Sequence, residues 1–114
     1  MFAKGIDMHI DIHGLNIQPT DAMRIYMHRR IQTSLDHLHH AVRGVVLRIK
    51  DINGPRGGVN KRCQISVQLT SGERIFIEDI DEDVYRVVDR ITTRTKHTIA
   101  RFVARRRDLR RRAS

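Results

Sequence analysis

"KRCQISVQLTSGERIFIED", residues 61–79, decides the fold of this chain. Cys63, Ile65, Val67 and Leu69 alternate with Arg62, Gln64, Ser66 and Gln68. A period of two, apolar then polar, is the pattern of a strand buried on one face only. "TSG" at 70–72 reads as a hairpin turn, and the next strand follows in "ERIFIED", 73–79. Such a hairpin needs a layer to cover its apolar face, and the flanking sequence provides one.

Upstream, "RGVVLRIKDI" (43–52) sets Val45, Leu47 and Ile49 against Val46, Arg48 and Lys50, which predicts another strand. Between these strands lies a loop, "GPRGGVN" (54–60), longer than the two to five residues or so that a hairpin needs. Its glycines and its lead into Lys61 and Arg62 make it a candidate mobile, cationic finger. Further upstream, "IDMHIDIH" (6–13) alternates Ile6, Met8, Ile10 and Ile12 with Asp7, His9, Asp11 and His13, a first half-buried strand. "GLNIQPTD" breaks it, and Thr20 or Asp21 can cap a helix starting near residue 20. Met23, Met27, Ile31, Ser34, Leu35 and Leu38 give that helix one apolar stripe to about residue 40. Downstream, "DIDED" (79–83) puts acids where a helix N-terminus favours them, and a last helix is expected from about 82 to beyond 105.

The order is β-α-β-β-β-α, with each strand apolar on one face and each helix on one stripe. Those surfaces are satisfied together in an α+β, two-layer βαβββα sandwich: a four-stranded sheet with both helices on one face. The first two strands should run parallel through a right-handed crossover, the rest as a meander, leaving the outer sheet face to solvent. At 114 residues, with no internal repeat, one domain is expected.

Charge narrows the partners. Twenty-two Lys and Arg against 13 Asp and Glu leave +9, and residues 101–114, with seven arginines and one aspartate, hold +6 of it. This balance points to a polyanion, nucleic acid before an anionic membrane. No apolar run approaches the twenty or so residues of a membrane span, and "MFAKGIDMHID" lacks the apolar centre of a signal peptide. A single cysteine, Cys63, fits a reducing cytoplasm.

The last helix carries two regular series. Val84, Val88, Ile91, Thr95, Ile99 and Phe102 form the core stripe; Arg86, Arg90, Arg94, His97, Arg101 and Arg105 form a basic one. At about 100° per residue the two centre about 130° apart, and the basic series spans roughly 28 Å. Only Asp89 and Asp108 interrupt the positive run after residue 83, so this face is expected to bind phosphates. Arginine suits rRNA or double-stranded RNA, because a guanidinium can fork onto a phosphate.

With the elements placed, the chain resembles the ribosome hibernation-promoting factor and ribosome-associated inhibitor family, once labelled sigma-54 modulation proteins. The resemblance covers roughly residues 6–102 and is carried by "GGVNKRCQISVQL" (57–69), "DEDVYRVVDRITTR" (81–94) and, more weakly, "AMRIYMHRRI" (22–31). Asn60 stands where the family often has Asp, Arg86 where it usually has Ala, and Thr95 where Leu is usual. The resemblance implies a fold akin to double-stranded RNA-binding domains. It also implies a protein that binds the small ribosomal subunit where mRNA and tRNA would sit, silencing translation in stationary phase or stress. By position, the implied RNA-facing residues are Arg24, Arg29 and Arg30 on the first helix, Lys61 and Arg62 at the strand start, and Arg94, His97 and Arg101 on the last helix. The dimerising second domain of long members is not in this sequence, which looks like a short form.

Other chemistry finds little support. Asp7, His9, Asp11 and His13 share a strand face, but i, i+2 side chains lie about 6.5–7 Å apart, wide for one metal ion, and no thiolate pair joins them. His37, His39 and His40 complement the negative end of the first helix. Cys63, in phase with Ile65 and Val67, reads as a buried small hydrophobe. There is no P-loop, nucleophile elbow or dinucleotide fingerprint, so neither enzyme activity nor a cofactor is expected. The reading is therefore a ribosome-binding domain over 1–104 and a basic, flexible tail over 105–114, with the small subunit and its rRNA as partners and a cytoplasmic location. A general double-stranded RNA-binding or ribosome-assembly module is the alternative.

Overall fold

The structure, a computed structural model, describes residues 8–52 and 60–113. Strand β1 (His9–Leu15) leads to helix α1 (Asp21–Leu35), whose last turn tightens into a 3-10 segment over Asp36–Ala41. Strands β2 (Val42–Asp51), β3 (Lys61–Leu69) and β4 (Arg74–Asp81) follow, then helix α2 (Val84–Ala113). The sheet order is β1-β2-β3-β4. β1 and β2 run parallel, and β2–β3 and β3–β4 antiparallel, as the alternation and the crossover rule predict. The expected finger at 54–60, save Asn60, and the first strand's Ile6 and Asp7 lie outside the described residues.

Local chemistry sets the boundaries. Thr20 caps α1, its Oγ1 accepting from the Met23 amide at 3.1 Å. Gly14 sits where the chain folds back towards Pro19: a Cβ there would run into the Ile17 carbonyl and stand 2.6 Å from the proline Cδ. Gly72 closes the β3–β4 turn at φ +105°, a conformation glycine adopts without penalty. The loop between β2 and β3 is clasped at its base by Asn60, whose carbonyl accepts from the Ile52 amide at 2.8 Å.

One face of the sheet is the core. Val45, Leu47, Ile49, Cys63, Ile65, Val67 and Leu69 are buried beneath Met27, Ile31 and Leu35 of α1 and Val87, Val88, Ile91 and Ile99 of α2. Burial, with the charge of Asp79 nearby, pushes the Cys63 thiol up to about 12, so it is a packing residue at neutral pH. Thr95 is fully buried, and its hydroxyl donates to the Ile91 carbonyl at 2.7 Å, satisfying itself within the helix. Val87 and Thr92, absent from the predicted stripe, are buried as well, so the apolar face of α2 is wider than one series.

One boundary differs from the sequence reading. Residues 79–81 do not open the last helix; β4 continues through Asp81, and Asp83 alone caps α2, accepting from the Tyr85 and Arg86 amides at 2.8 and 3.2 Å. The period-two pairing wins: Asp79 and Asp81 stand opposite Cys63 and Lys61, in phase with Ile75 and Ile77. At the other end α2 runs, as expected, beyond residue 105, remaining helical through Ala113 and past the last core contacts at Phe102 and Val103. Arginine is a good helix former, and Arg110, Arg111 and Arg112 complement the negative helix end. Arg106 ties this extension back, reaching Glu73 at 3.5 Å and lying 5.9 Å from the Phe102 ring centroid.

Candidate nucleic-acid interface

Asp79 and Asp81 point to the helix side of an edge strand, and α2 brings its arginines over them. Arg86 reaches Asp81 at 2.9 Å and Glu82 at 3.7 Å. Arg90 meets Asp79 at 2.6 Å and Asp81 at 3.1 Å, and Arg94 meets Asp79 at 3.4 Å. Two of them also cover the free edge of β4: Arg90 donates to the Ile80 carbonyl at 3.1 Å and Arg94 to the Glu78 carbonyl at 3.3 Å. Blocking an unpaired strand edge with charged side chains is a known guard against edge-to-edge association. The electrostatics agree. The Arg90 hydrogen bond, with the Ile80 amide, holds Asp79 below the usual carboxylate range; that of Arg86, with the Asp83 amide, does the same for Asp81. Hydrogen bonds to Asp79 and then Asp81 push Arg90 upward.

The basic series on α2 is thus two different halves. Arg86, Arg90 and Arg94 are already paired with the two carboxylates Asp79 and Asp81 of β4. His97 and Arg105 are exposed and make no ion pair among the described residues, and the only described partner of Arg101 is the Thr98 hydroxyl at 3.5 Å. The half that continues past the sheet is the one with charge to spare.

The α1 candidates separate in the same way. Arg30 is half-buried between the helices, donating to Asp89 at 2.9 Å and to the Thr92 hydroxyl at 3.3 Å. The Tyr26 hydroxyl donates to the same carboxylate, which raises the phenol's pKa, and its ring meets Tyr85 edge-on at 4.9 Å. Arg24 donates to the Ile12 carbonyl at 3.1 Å and so pins α1 to β1. Arg29 has no described partner; with His28 it lines an open groove between α1 and β1. Lys61 is largely covered, 2.9 Å from the Asn60 side-chain oxygen and 3.6 Å from Asp51. Arg62 lies on the opposite sheet face, paired with Glu78 at 3.3 Å. The eleven predicted residues therefore do not share one surface.

Sequence reasoning missed the acids that hold the arginines. The signal was present, since extending the alternation of Ile75 and Ile77 by two and four residues puts Asp79 and Asp81 on the helix side. It also missed the Tyr26–Asp89–Arg30 cluster, in which Asp89 lies 63 and 59 positions from its partners, and the exposed Phe76 on the outer face.

The domain is a basic α+β fold whose second helix runs on past the last core contacts. The family model described as "Sigma 54 modulation protein / S30EA ribosomal protein" matches residues 10–107, and the chain belongs to that ribosome-associated family. Among solved structures it is similar to the N-terminal domain of Protein Y from Thermus thermophilus. The two share 25% identity over 83% of this chain and 99% of that one, with a TM-score of 0.68. A ribosomal subunit interface protein from Coxiella burnetii shares the fold, with a TM-score of 0.67 at 17% identity, covering 85% of this chain and 99% of that one. No curated protein matches the sequence. Among the described residues, no helix is long and apolar enough to cross a membrane.

Proposed function

We propose that this protein is a cytoplasmic translation-silencing factor that lodges on the small ribosomal subunit in the channel used by mRNA and tRNA, during stationary phase or stress. Family membership over residues 10–107 carries the ribosome as partner. The exposed side chains without an ion pair among the described residues support rRNA as the surface it meets: the guanidinium groups of Arg29 on α1 and of Arg101 and Arg105 on α2, with the His97 ring also on α2. The mechanism needs no covalent chemistry. Guanidinium groups displace counterions from phosphates, and the seated domain excludes mRNA and tRNA sterically. Arg86, Arg90 and Arg94 serve this binding indirectly, by fixing α2 against β4 so that its second half projects at a defined angle.

Sucrose-gradient sedimentation of lysates from growing and growth-arrested cells tests the reading, combined with addition of pure protein to a translating extract. The expected result is co-migration with ribosomal particles containing the small subunit after arrest, and inhibition relieved by excess mRNA and initiator tRNA. A protein that stays at the top of the gradient in both states, while binding free double-stranded RNA, would instead be a general RNA-binding module.

A further inference from the structure

Among the described residues nothing covers the outer sheet face, and its side chains line up in rows across the four strands. One row is Asp11, Val46, Ser66 and Phe76; the next towards one end is His9, Gly44, Gln68 and Arg74; on the other side comes His13, Arg48, Gln64 and Glu78, then Leu15, Lys50, Arg62 and Ile80. Four cations on this face (Arg48, Lys50, Arg62 and Arg74) meet two anions, Asp11 and Glu78. Phe76 is 58% exposed, although a large aromatic normally dominates a core. It stands two residues along β4 from Arg74, which is held in place by the Gln68 side-chain oxygen at 2.8 and 3.2 Å. Two strands away, over Gly44, lies a shallow depression of about 200 Å³, walled by Arg48, Ser66, Gln68 and Arg74 and, on the β1 side, by His9 and Asp11.

We propose that this face binds single-stranded RNA, with one base stacked on Phe76 and a neighbouring base or ribose in the depression over Gly44. The chemistry is complementary apart from the Asp11 carboxylate at the β1 side of the depression. An exposed aromatic accepts any base by its π-face, amide and hydroxyl groups of Gln64, Gln68 and Ser66 can meet a base edge, and Arg48 and Arg74 lie about one strand spacing or two away for the phosphates. A duplex would not fit this role, because its bases are not free to stack. The site lies on the side of the sheet opposite both helices, so a protein seated on rRNA through α2 would keep it open.

The protein contains no tryptophan, so Phe76→Trp places a single tryptophan at the site, which can be excited apart from the two tyrosines. Titration with a ten-nucleotide single-stranded oligoadenylate should quench its emission, and a double-stranded RNA of equal length should not. Phe76→Ala should weaken oligonucleotide affinity about five- to a hundredfold, the range of one lost base–aromatic stack. Gly44→Val tests the depression separately. A Cβ there makes only ordinary contact, 3.5 Å from the His9 carbonyl, so the fold should tolerate the change while the added methyls displace the ligand. Unchanged emission at saturating oligonucleotide, or wild-type affinity in Phe76→Ala, would overturn the proposal. Quenching by ribosomes but not by the oligonucleotide would also overturn it, since the face would then meet the folded ribosomal surface and not a free strand. Because the probe is a free oligonucleotide, the result stands apart from whether the protein silences ribosomes.

Discussion

Replacing Arg101 and Arg105 with glutamine should change ribosome binding in a way that replacing Arg86 and Arg90 does not. Both double variants lose two positive charges from the same helix, and glutamine keeps the helix propensity, so α2 should form in each. Each phosphate neutralised by a protein cation steepens the fall of log affinity against log salt by about 0.7 for a single strand and about 0.9 for a duplex. If Arg101 and Arg105 each meet a phosphate, their loss makes that slope shallower by about 1.4–1.8. Between 50 and 200 mM salt, a fourfold change, the double variant would then lose about seven- to twelvefold less of its affinity than the wild type does. Arg86 and Arg90 already hold Asp81 and Asp79 at 2.9 and 2.6 Å, so their removal should leave the slope within error of wild type. The assay is fluorescence anisotropy of labelled protein against purified small subunits over a salt series. Equal slope changes in the two double variants would refute the division of α2 into a paired and a free half.

Asp89→Ala removes the acceptor of both the Tyr26 hydroxyl and the Arg30 guanidinium. Hydrogen bonds to a charged group contribute about 1.5–3 kcal/mol when shielded. The carboxylate is 49% exposed, so a total loss of about 1–2 kcal/mol in urea denaturation is expected, and a wild-type midpoint would show the cluster to be incidental. Acid sensitivity gives a second check. Asp79 and Asp81 titrate below their ordinary 3.8, so the stability they lend is complete above that value and lost as pH falls through their depressed folded values. Arg90→Gln removes the main cause at Asp79, and acid unfolding followed by circular dichroism should then begin at higher pH than in wild type; an unmoved midpoint would mean the pairing adds nothing.

How much of this was legible before folding follows from the range of each interaction. Alternation in 61–79 and 43–52 and the three- and four-residue steps of both helices are local patterns, set by which side chains water rejects. They were enough for element order, sheet topology and the buried face, because only one arrangement covers every apolar surface at once. Cys63 could be placed in the core on phase alone, and its burial follows. The charges could not be read in this way. A charged side chain is satisfied by water or by a partner, and the sequence pattern is the same in either case. Arg90 finds Asp79 eleven positions upstream, and Arg30 finds Asp89 across fifty-nine, only because β4 and the two helices are packed side by side. Phe76 is the converse case. Its residue type argues for burial, but its place opposite Ser66 puts it on the solvent face. The sequence by itself therefore determined the sheet, its covered side and the excess of positive charge. Tertiary structure decided which of those charges are spent inside the protein and which remain for a partner, because ion pairing depends on distances of a few ångströms between elements far apart in the chain.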